Sequence, residues 1–445
     1  MVKIHFGTDG IRGRANENLT VRMAYRIGQY LGRYLNNGQK PRILIGRDTR
    51  LSGTMFETAL ASGITSVGGD AYLLKVCSTP SLVYLVRHDN FDCGIMISAS
   101  HNPYGDNGIK VVTGSGTKMN AEVEAKIEEY MYGDSEIELA TGADIGVVID
   151  YQDALNTYYD YLCERFPEDL SQYNILLDCA NGSATVTAEK VYKRLGANVT
   201  VMSNKPDGMN INRGCGSTHP EALATAVKNG NFDCGFAFDG DADRLISVAS
   251  DGKIIDGDKV LYMCGKYLKK HDKLRNGKLV TTVMANLGLF KKLDAEGIGY
   301  EKTAVGDKYV YDCMCKNDYV LGGEQSGHII FSDYATTGDG LLTSLFLLKV
   351  MREEGKSLNE LTDDLFIYPQ LLRNVEVKDK HSAIEDPDVQ EICRQVEEEL
   401  EGEGRVLVRP SGTEPLIRVM VEARTDELCS YYVGKVVDVI KEKKL

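Results

Sequence analysis

The sequence predicts an α/β protein built from repeated modules, and three observations carry that prediction. Apolar runs alternate with amphipathic stretches over most of the chain, one strand-loop-helix-strand order recurs, and one pentapeptide occurs twice. Alternation of this kind favours layered α/β structure around a parallel-type sheet.

In the first module residues 42–46 (RILIG) read as a strand, 47–52 as a loop, and the next stretch as a helix with apolar positions at Phe56, Ala59, Leu60 and Ile64. Gly68 and Gly69 break that helix before a second strand over 71–76. The same order returns with a strand at 175–178, a loop at 180–183, a helix over about 187–195, Gly196, and a strand at 199–202. The pentapeptide Asn-Phe-Asp-Cys-Gly stands at 90–94 and again at 231–235, each time before a short apolar strand and a polar loop. Ten residues beyond each Asn lie Ser100 and Asp241, so superposed modules would offer these two side chains from equivalent loops. A fainter third copy spans 278–328, with strands at 279–283 and 319–321. From residue 371 the pattern changes to short strands at 374–377, 405–408 and 416–421 interleaved with two helices, a small and separately mobile α+β module. The expected divisions are 1–150, 151–250, 251–368 and 369–445.

Composition narrows the functional classes. A chain of 445 residues exceeds what one core serves, and 43% hydrophobic with 26% charged residues is globular composition throughout. A net charge of −14 excludes a general nucleic-acid binder, which needs clustered Lys and Arg, but leaves local phosphate binding open. No apolar run reaches the roughly 18 residues of a membrane span, and no signal-peptide core follows Lys3. A cytoplasmic protein with no membrane partner is expected. The eleven cysteines are an odd number spread singly, which does not suit a disulfide framework.

Four motifs carry chemistry. Ser98-Ala-Ser-His-Asn-Pro-Tyr-Gly-Asp-Asn-Gly-Ile-Lys110 follows an apolar strand, and its small residues let the Ser100 hydroxyl stand at a strand's carboxyl end, where open α/β sheets bind ligands. Asp239-Gly-Asp-Ala-Asp-Arg244 presents three carboxylates at alternate positions; they would repel one another unless a hard cation such as Mg²⁺ joined them. An EF-hand loop is excluded, because Arg244 and Ser250 stand where Gly and Glu are required. In Gly322-Gly-Glu-Gln-Ser-Gly-His328, Glu324 and Ser326 offer the hydrogen-bonding groups needed to read sugar hydroxyls, and His328 can carry protons near neutral pH. In Arg409-Pro-Ser-Gly-Thr-Glu-Pro-Leu-Ile-Arg418, backbone amides around Ser411, Gly412 and Thr413 can form an anion nest flanked by Arg409 and Arg418.

These motifs, in this order and opened by Phe6-Gly-Thr-Asp-Gly-Ile-Arg-Gly13, resemble the α-D-phosphohexomutase superfamily across the whole chain. Gln325, Asn210-Ile-Asn212, Cys215-Gly-Ser-Thr-His-Pro-Glu221 and Val305-Gly-Asp-Lys-Tyr-Val310 are similar to its bacterial amino-sugar branch. The resemblance implies three similar mixed-sheet α/β domains and a C-terminal α+β domain around a central cleft. It implies interconversion of glucosamine 6-phosphate and glucosamine 1-phosphate on the way to UDP-N-acetylglucosamine and peptidoglycan. Ser100 would then be stored as phosphoserine, with one Mg²⁺ per chain held by its phosphate and by Asp239, Asp241 and Asp243, and glucosamine 1,6-bisphosphate would serve as intermediate and activator. Lys110 is the expected general base, its pKa depressed by nearby cations, with His328 second. Arg12 and Arg244 would hold the transferring phosphate, Glu324 and Ser326 the sugar, and Arg409, Ser411, Gly412, Thr413 and Arg418 the phosphate that is not reacting. A phosphoglucomutase or phosphomannomutase with the same machinery, a silent sugar-phosphate sensor and a hydrolytic phosphatase stand as alternatives. The oligomeric state is left open, with a homodimer compatible.

Overall fold

A computed structural model describes residues 3–411 and 416–443. Its strands form four sheets. The first takes β1 (Phe6–Gly7), β2 (Gly10–Arg14), β3 (Arg42–Arg47), β4 (Asp70–Val76), β5 (Cys93–Ile97), β6 (Asp106–Thr113) and β7 (Val148–Asp150), in the order β1-β2-β6-β5-β3-β4-β7. The second takes β8 (Asn174–Asp178), β9 (Asn198–Met202), β10 (Cys234–Phe238), β11 (Leu245–Ala249) and β12 (Ile254–Ile255), in the order β12-β11-β10-β8-β9. The third takes β13 (Lys278–Thr282), β14 (Gly299–Thr303), β15 (Leu321–Gly323) and β16 (Ile329–Phe331), in the order β14-β13-β15-β16.

One four-strand arrangement is common to all three. In β4-β3-β5-β6, β9-β8-β10-β11 and β14-β13-β15-β16 the first three strands run parallel and the last returns antiparallel through a hairpin. The expected repeat is therefore present three times, the faint copy included. β5 (CGIMI) and β10 (CGFAF) are buried at every position, which is why they read as unbroken apolar runs and not as alternating ones. β6 is an element that the motif reading did not separate from its loop: Asp106 to Thr113 pairs with β2 and β5, and the interior of this strand is buried despite its Asn and Lys.

Residues 3–284 and 298–363 form one compact unit holding these three sheets. The second unit, 285–297 with 364–443, has its own core. Its sheet of β17 (Gln370–Glu376), β18 (Gly404–Pro410) and β19 (Leu416–Ala423) is antiparallel, ordered β17-β19-β18. After residue 371 three helices are seen where two were expected, Lys380–Glu385, Pro387–Glu399 and Asp426–Glu442. The division falls at Asp386, which caps the second helix through the amides of Asp388 and Val389, with Pro387 at its first turn, a residue that starts a helix and cannot continue one.

All eleven cysteines are free thiols, seven of them buried, and burial raises Cys77, Cys93, Cys179, Cys234 and Cys264 above the usual thiol range. Among the described residues no helix is long and apolar enough to cross a membrane.

A buried carboxyl ties two of the modules together. Asp339 caps the helix Gly340–Glu354 by accepting from Leu342 N, and Tyr158 Oη, on the helix Leu155–Arg165, donates to its other oxygen at 2.7 Å. Burial pushes the Asp339 carboxyl up to about 6, against the opposing pull of its hydrogen bonds. The folded protein thus holds a proton that the unfolded chain gives up near pH 3.9. This group's contribution to stability is complete below that value and declines as pH rises towards about 6. Asp339→Asn, which keeps an acceptor for Leu342, should flatten the dependence of the denaturation midpoint on pH across that window; an unchanged slope would show that the carboxyl does not titrate there.

Candidate active site

The three hairpins that end β5, β10 and β15 carry the Ser100, Asp239 to Asp243 and Glu324 to His328 motifs respectively. Each leaves the carboxyl end of a parallel strand, the edge at which such sheets bind ligands. Ser100 is buried, and its Oγ donates to Asp239 Oδ2 at 2.6 Å. Its backbone is left-handed, φ 51°, a conformation that costs a non-glycine residue about 1–2 kcal/mol. The two loops meet closely: a Cβ on Gly240 would lie 2.4 Å from the Ser100 carbonyl oxygen, so the residue between the first two aspartates has to be glycine.

Asp239, Asp241 and Asp243 are buried and bring ligand atoms within 4.8 Å of one another. Burial, with the charges of Asp243 and Asp241, raises Asp239 well above the carboxylate range. Asp243 goes the other way, because Lys110, His328 and Arg244 outweigh its burial. Asp241 Oδ2 accepts from Thr79 Oγ1 at 2.6 Å and Lys110 Nζ at 2.8 Å. Asp241 Oδ1 and Asp243 Oδ1 are buried with no hydrogen-bond partner among the described residues. Bare buried carboxylate oxygens are costly unless a cation meets them. Three hard oxygen donors with two unmet atoms fit a divalent ion such as Mg²⁺.

The cationic side chains close in on this cluster. Lys110, on β6, also reaches Asp9 Oδ1 at 3.1 Å and Asp243 Oδ2 at 3.7 Å. Burial alone would lower its pKa, but Asp241, Asp9 and Asp243 outweigh burial and raise it, the reverse of the expected depression. Arg12, on β2, pairs with Asp9. Arg244 N donates to Asp239 Oδ1 at 3.2 Å, and its guanidinium lies 4.0 Å from Asp243. His101, beside Ser100, is pushed down to about 4 by burial and by the charges of Arg244 and Arg12.

His328 stands 3.6 Å from Asp243 through Nδ1 and 3.6 Å from Asp307 through Nε2. Burial lowers this imidazole, yet Asp243, Asp307 and Glu324 outweigh it and lift it to about 9. The Gly338 amide donates to Nε2 at 3.0 Å and needs that nitrogen without its proton, so ring protonation and this hydrogen bond compete. Asp9, Lys110, Asp243 and His328 also form one wall of a cavity of about 240 Å³. Glu324 accepts from Gly306 N at 3.0 Å, and Ser326 is exposed on the same loop.

In the second unit Arg409 on β18 and Arg418 on β19 are directly opposite one another. Burial and the Arg418 charge lower Arg409 from its usual value. Like charges in register across two strands destabilise a sheet, and an anion between them would reverse the sign. Ser411 N donates to Leu416 O, and Lys380 Nζ to Ser411 O. Gly412 and Thr413 lie outside the described residues.

Several members of this constellation escaped the motif reading. Asp9 stands inside the quoted opening motif, and its position between Lys110 and Arg12 gives it a part that the sequence signalled only as an acidic residue among glycines. Thr79 had no signal beyond an ordinary helix start, and Asp307 stood in the quoted segment 305–310 without being given a role. Asp48 and Arg50 follow a buried strand in the segment read as a plain loop.

The phosphoglucomutase/phosphomannomutase family profiles match in order: α/β/α domain I over residues 3–138, domain II over 149–252, domain III over 256–367 and the C-terminal domain over 372–439. A protein of Lachnoclostridium phytofermentans named phosphoglucosamine mutase is 52% identical over 440 residues, covering 99% of this chain and 98% of its own length. One of the same name from Bacillus subtilis is 48% identical over 441 residues, with 99% and 98% covered. The crystal structure of a phosphoglucomutase/phosphomannomutase family protein from Burkholderia thailandensis shares the fold, with a TM-score of 0.80 at 22% identity and 98% of each chain covered. Full-length likeness of this extent, together with four domain matches in sequence order, establishes that the chain belongs to the phosphoglucomutase/phosphomannomutase family.

Proposed function

We propose that the chain interconverts glucosamine 6-phosphate and glucosamine 1-phosphate through phosphoserine at Ser100 and a glucosamine 1,6-bisphosphate. The observation that carries this reading is the Ser100 hydroxyl, 2.6 Å from one carboxylate of a buried aspartate triad that retains two bare oxygens. The names of relatives at about half identity over the full length supply the amino sugar as substrate.

Phosphoryl transfer demands alignment and charge neutralisation more than covalent help from the protein. Asp239, Asp241 and Asp243 are the residues that would hold Mg²⁺, which when bound would neutralise charge on the transferring phosphate oxygens. Arg12 and Arg244 add positive charge that is felt at His101, the neighbour of Ser100. Lys110 is assigned to the proton of the attacking hydroxyl, but the three carboxylates that favour its ammonium form mean that it must first give up its own proton, and His328 is the second candidate. Glu324 and Ser326 are assigned to sugar hydroxyls. Arg409, Ser411 and Arg418 are assigned, with Gly412 and Thr413 of the same motif, to the phosphate that is not reacting.

Ser100→Ala should fold, bind sugar phosphate and lose mutase turnover by at least ~10³-fold even when bisphosphate is supplied. Intact-mass spectrometry should find one phosphoryl group on the native protein and none on this variant; near-normal turnover in the variant would overturn the assignment. Stripping divalent cations should abolish turnover and added Mg²⁺ restore it, and side-by-side kinetics on glucosamine, glucose and mannose phosphates should favour the amino sugar.

Arg409→Ala should raise KM for the sugar phosphate about 10- to 100-fold, the scale of one charge-assisted hydrogen bond. Its thermal midpoint should stay close to that of the native protein, since Arg409 is only half-buried on β18. A lowered midpoint with unchanged KM would assign the arginine to the fold instead.

A further inference from the structure

Arg50 uses four of its five side-chain hydrogen-bond donors on the segment that carries Ser100. Its side chain is fully buried. Nε donates to Asp48 Oδ2 at 2.9 Å, Nη1 to the carbonyls of Pro103 and Asp106, and Nη2 to the carbonyls of Ser100 and Asn102 at 2.9 and 2.8 Å. A guanidinium has five N–H donors in one plane, and all five are engaged, four of them by main-chain oxygens between residues 100 and 106.

The partner carboxylate completes the hold. Asp48 Oδ1 accepts from Arg50 N, while Oδ2 also accepts from Ser98 Oγ at 2.7 Å. Ser98 Oγ in turn accepts from Ser100 N at 2.8 Å. Both main-chain polar groups of Ser100 are thereby tied to one buried pair, the N–H through Ser98 and Asp48, the carbonyl directly by Arg50. Asn212, from the second module, donates to the same two carbonyls, Ser100 O at 2.9 Å and Asn102 O at 3.2 Å. The residue so restrained has a left-handed backbone, a conformation that persists only when its surroundings dictate it.

We propose that Arg50, acting with Asp48 through Ser98, is a positioning residue that sets the direction of the Ser100 hydroxyl for phosphoryl transfer. This rests on the reading of Ser100 as the phosphoryl carrier. Transfer needs the serine oxygen, phosphorus and acceptor oxygen in line, and displacement of the order of 1 Å costs about 10²-fold in rate. Arg50 touches neither phosphate nor sugar in this role. A lysine keeps the charge but gathers its three donors on a single atom and cannot span four carbonyls.

The test compares Arg50→Lys and Ser98→Ala with the native protein, each assayed well below its own thermal midpoint and normalised to folded, phosphorylated molecules. Ser98→Ala removes one buried hydroxyl and keeps the fold measurable even where Arg50→Lys is too unstable. In both variants kcat should fall by about 10²-fold with KM within about twofold, and release of inorganic phosphate from the phosphoenzyme should rise relative to isomerisation. Lowered thermal midpoints with kcat per folded molecule within about threefold of native, and an unchanged phosphate partition, would reduce the pair to fold support and overturn the proposal. Failure of the underlying reading is distinguishable: native protein would then carry no phosphate on Ser100, and Ser100→Ala would turn over substrate.

Discussion

Three carboxylates held within 4.8 Å of one another in a buried site are the constraint to which the surrounding structure answers. Two like charges about 4 Å apart repel by roughly 4 kcal/mol where the effective dielectric constant is near 20. Such a cluster survives only if positive charge is built in close by. Lys110, Arg244 and His328 supply it from three different elements, and Asp9 then restrains Lys110 and Arg12 from the far side. The cations do not satisfy everything, since two carboxylate oxygens stay bare among the described residues. This shortfall leaves room for a further cation, whereas burial in a self-contained ion-pair network would favour complete pairing.

Repetition explains how so many functional groups reach one place. A parallel strand followed by an antiparallel return leaves a tight loop at the sheet's ligand-binding edge, and the chain makes that loop three times with different contents: a hydroxyl, a set of carboxylates, and a mixed polar group with an imidazole. The loops are knitted directly to one another. Leu245 N donates to Gly327 O, and the Ser100 carbonyl rests against Gly240. Displacing one loop therefore displaces its neighbours, and the alignment of serine, carboxylates and imidazole is a property of the three hairpins together.

Much of this was legible in the sequence because burial and chemistry leave local marks. β5 and β10 announce themselves by short apolar runs, the hairpin loops by Gly-spaced polar residues, and the pentapeptide at 90–94 and 231–235 places Ser100 and the aspartates in equivalent positions. What stayed hidden was pairing at long range. Lys110 sits in a strand that looks polar, and its partners Asp9 and Asp241 lie 101 and 131 residues away in the chain. In the site that the family resemblance implies, a lysine among cations is expected to lose its proton readily; in the folded protein carboxylates surround it, and the balance reverses. Arg50 is a comparable case. Its fork spans carbonyls more than fifty residues further along, and no local pattern records main-chain acceptors. The third helix of the last module was missed for a nearer reason, an Asp-Pro step inside what reads as one amphipathic stretch.

The facing arginines of β18 and β19 have a consequence for how the second unit responds to its solution. Most surface ion pairs join opposite charges, so ionic strength erodes them. Here two guanidinium groups stand in register across a strand pair, an arrangement that suits an anion shared between them. Multivalent oxyanions should therefore settle on this unit at lower concentration than chloride does.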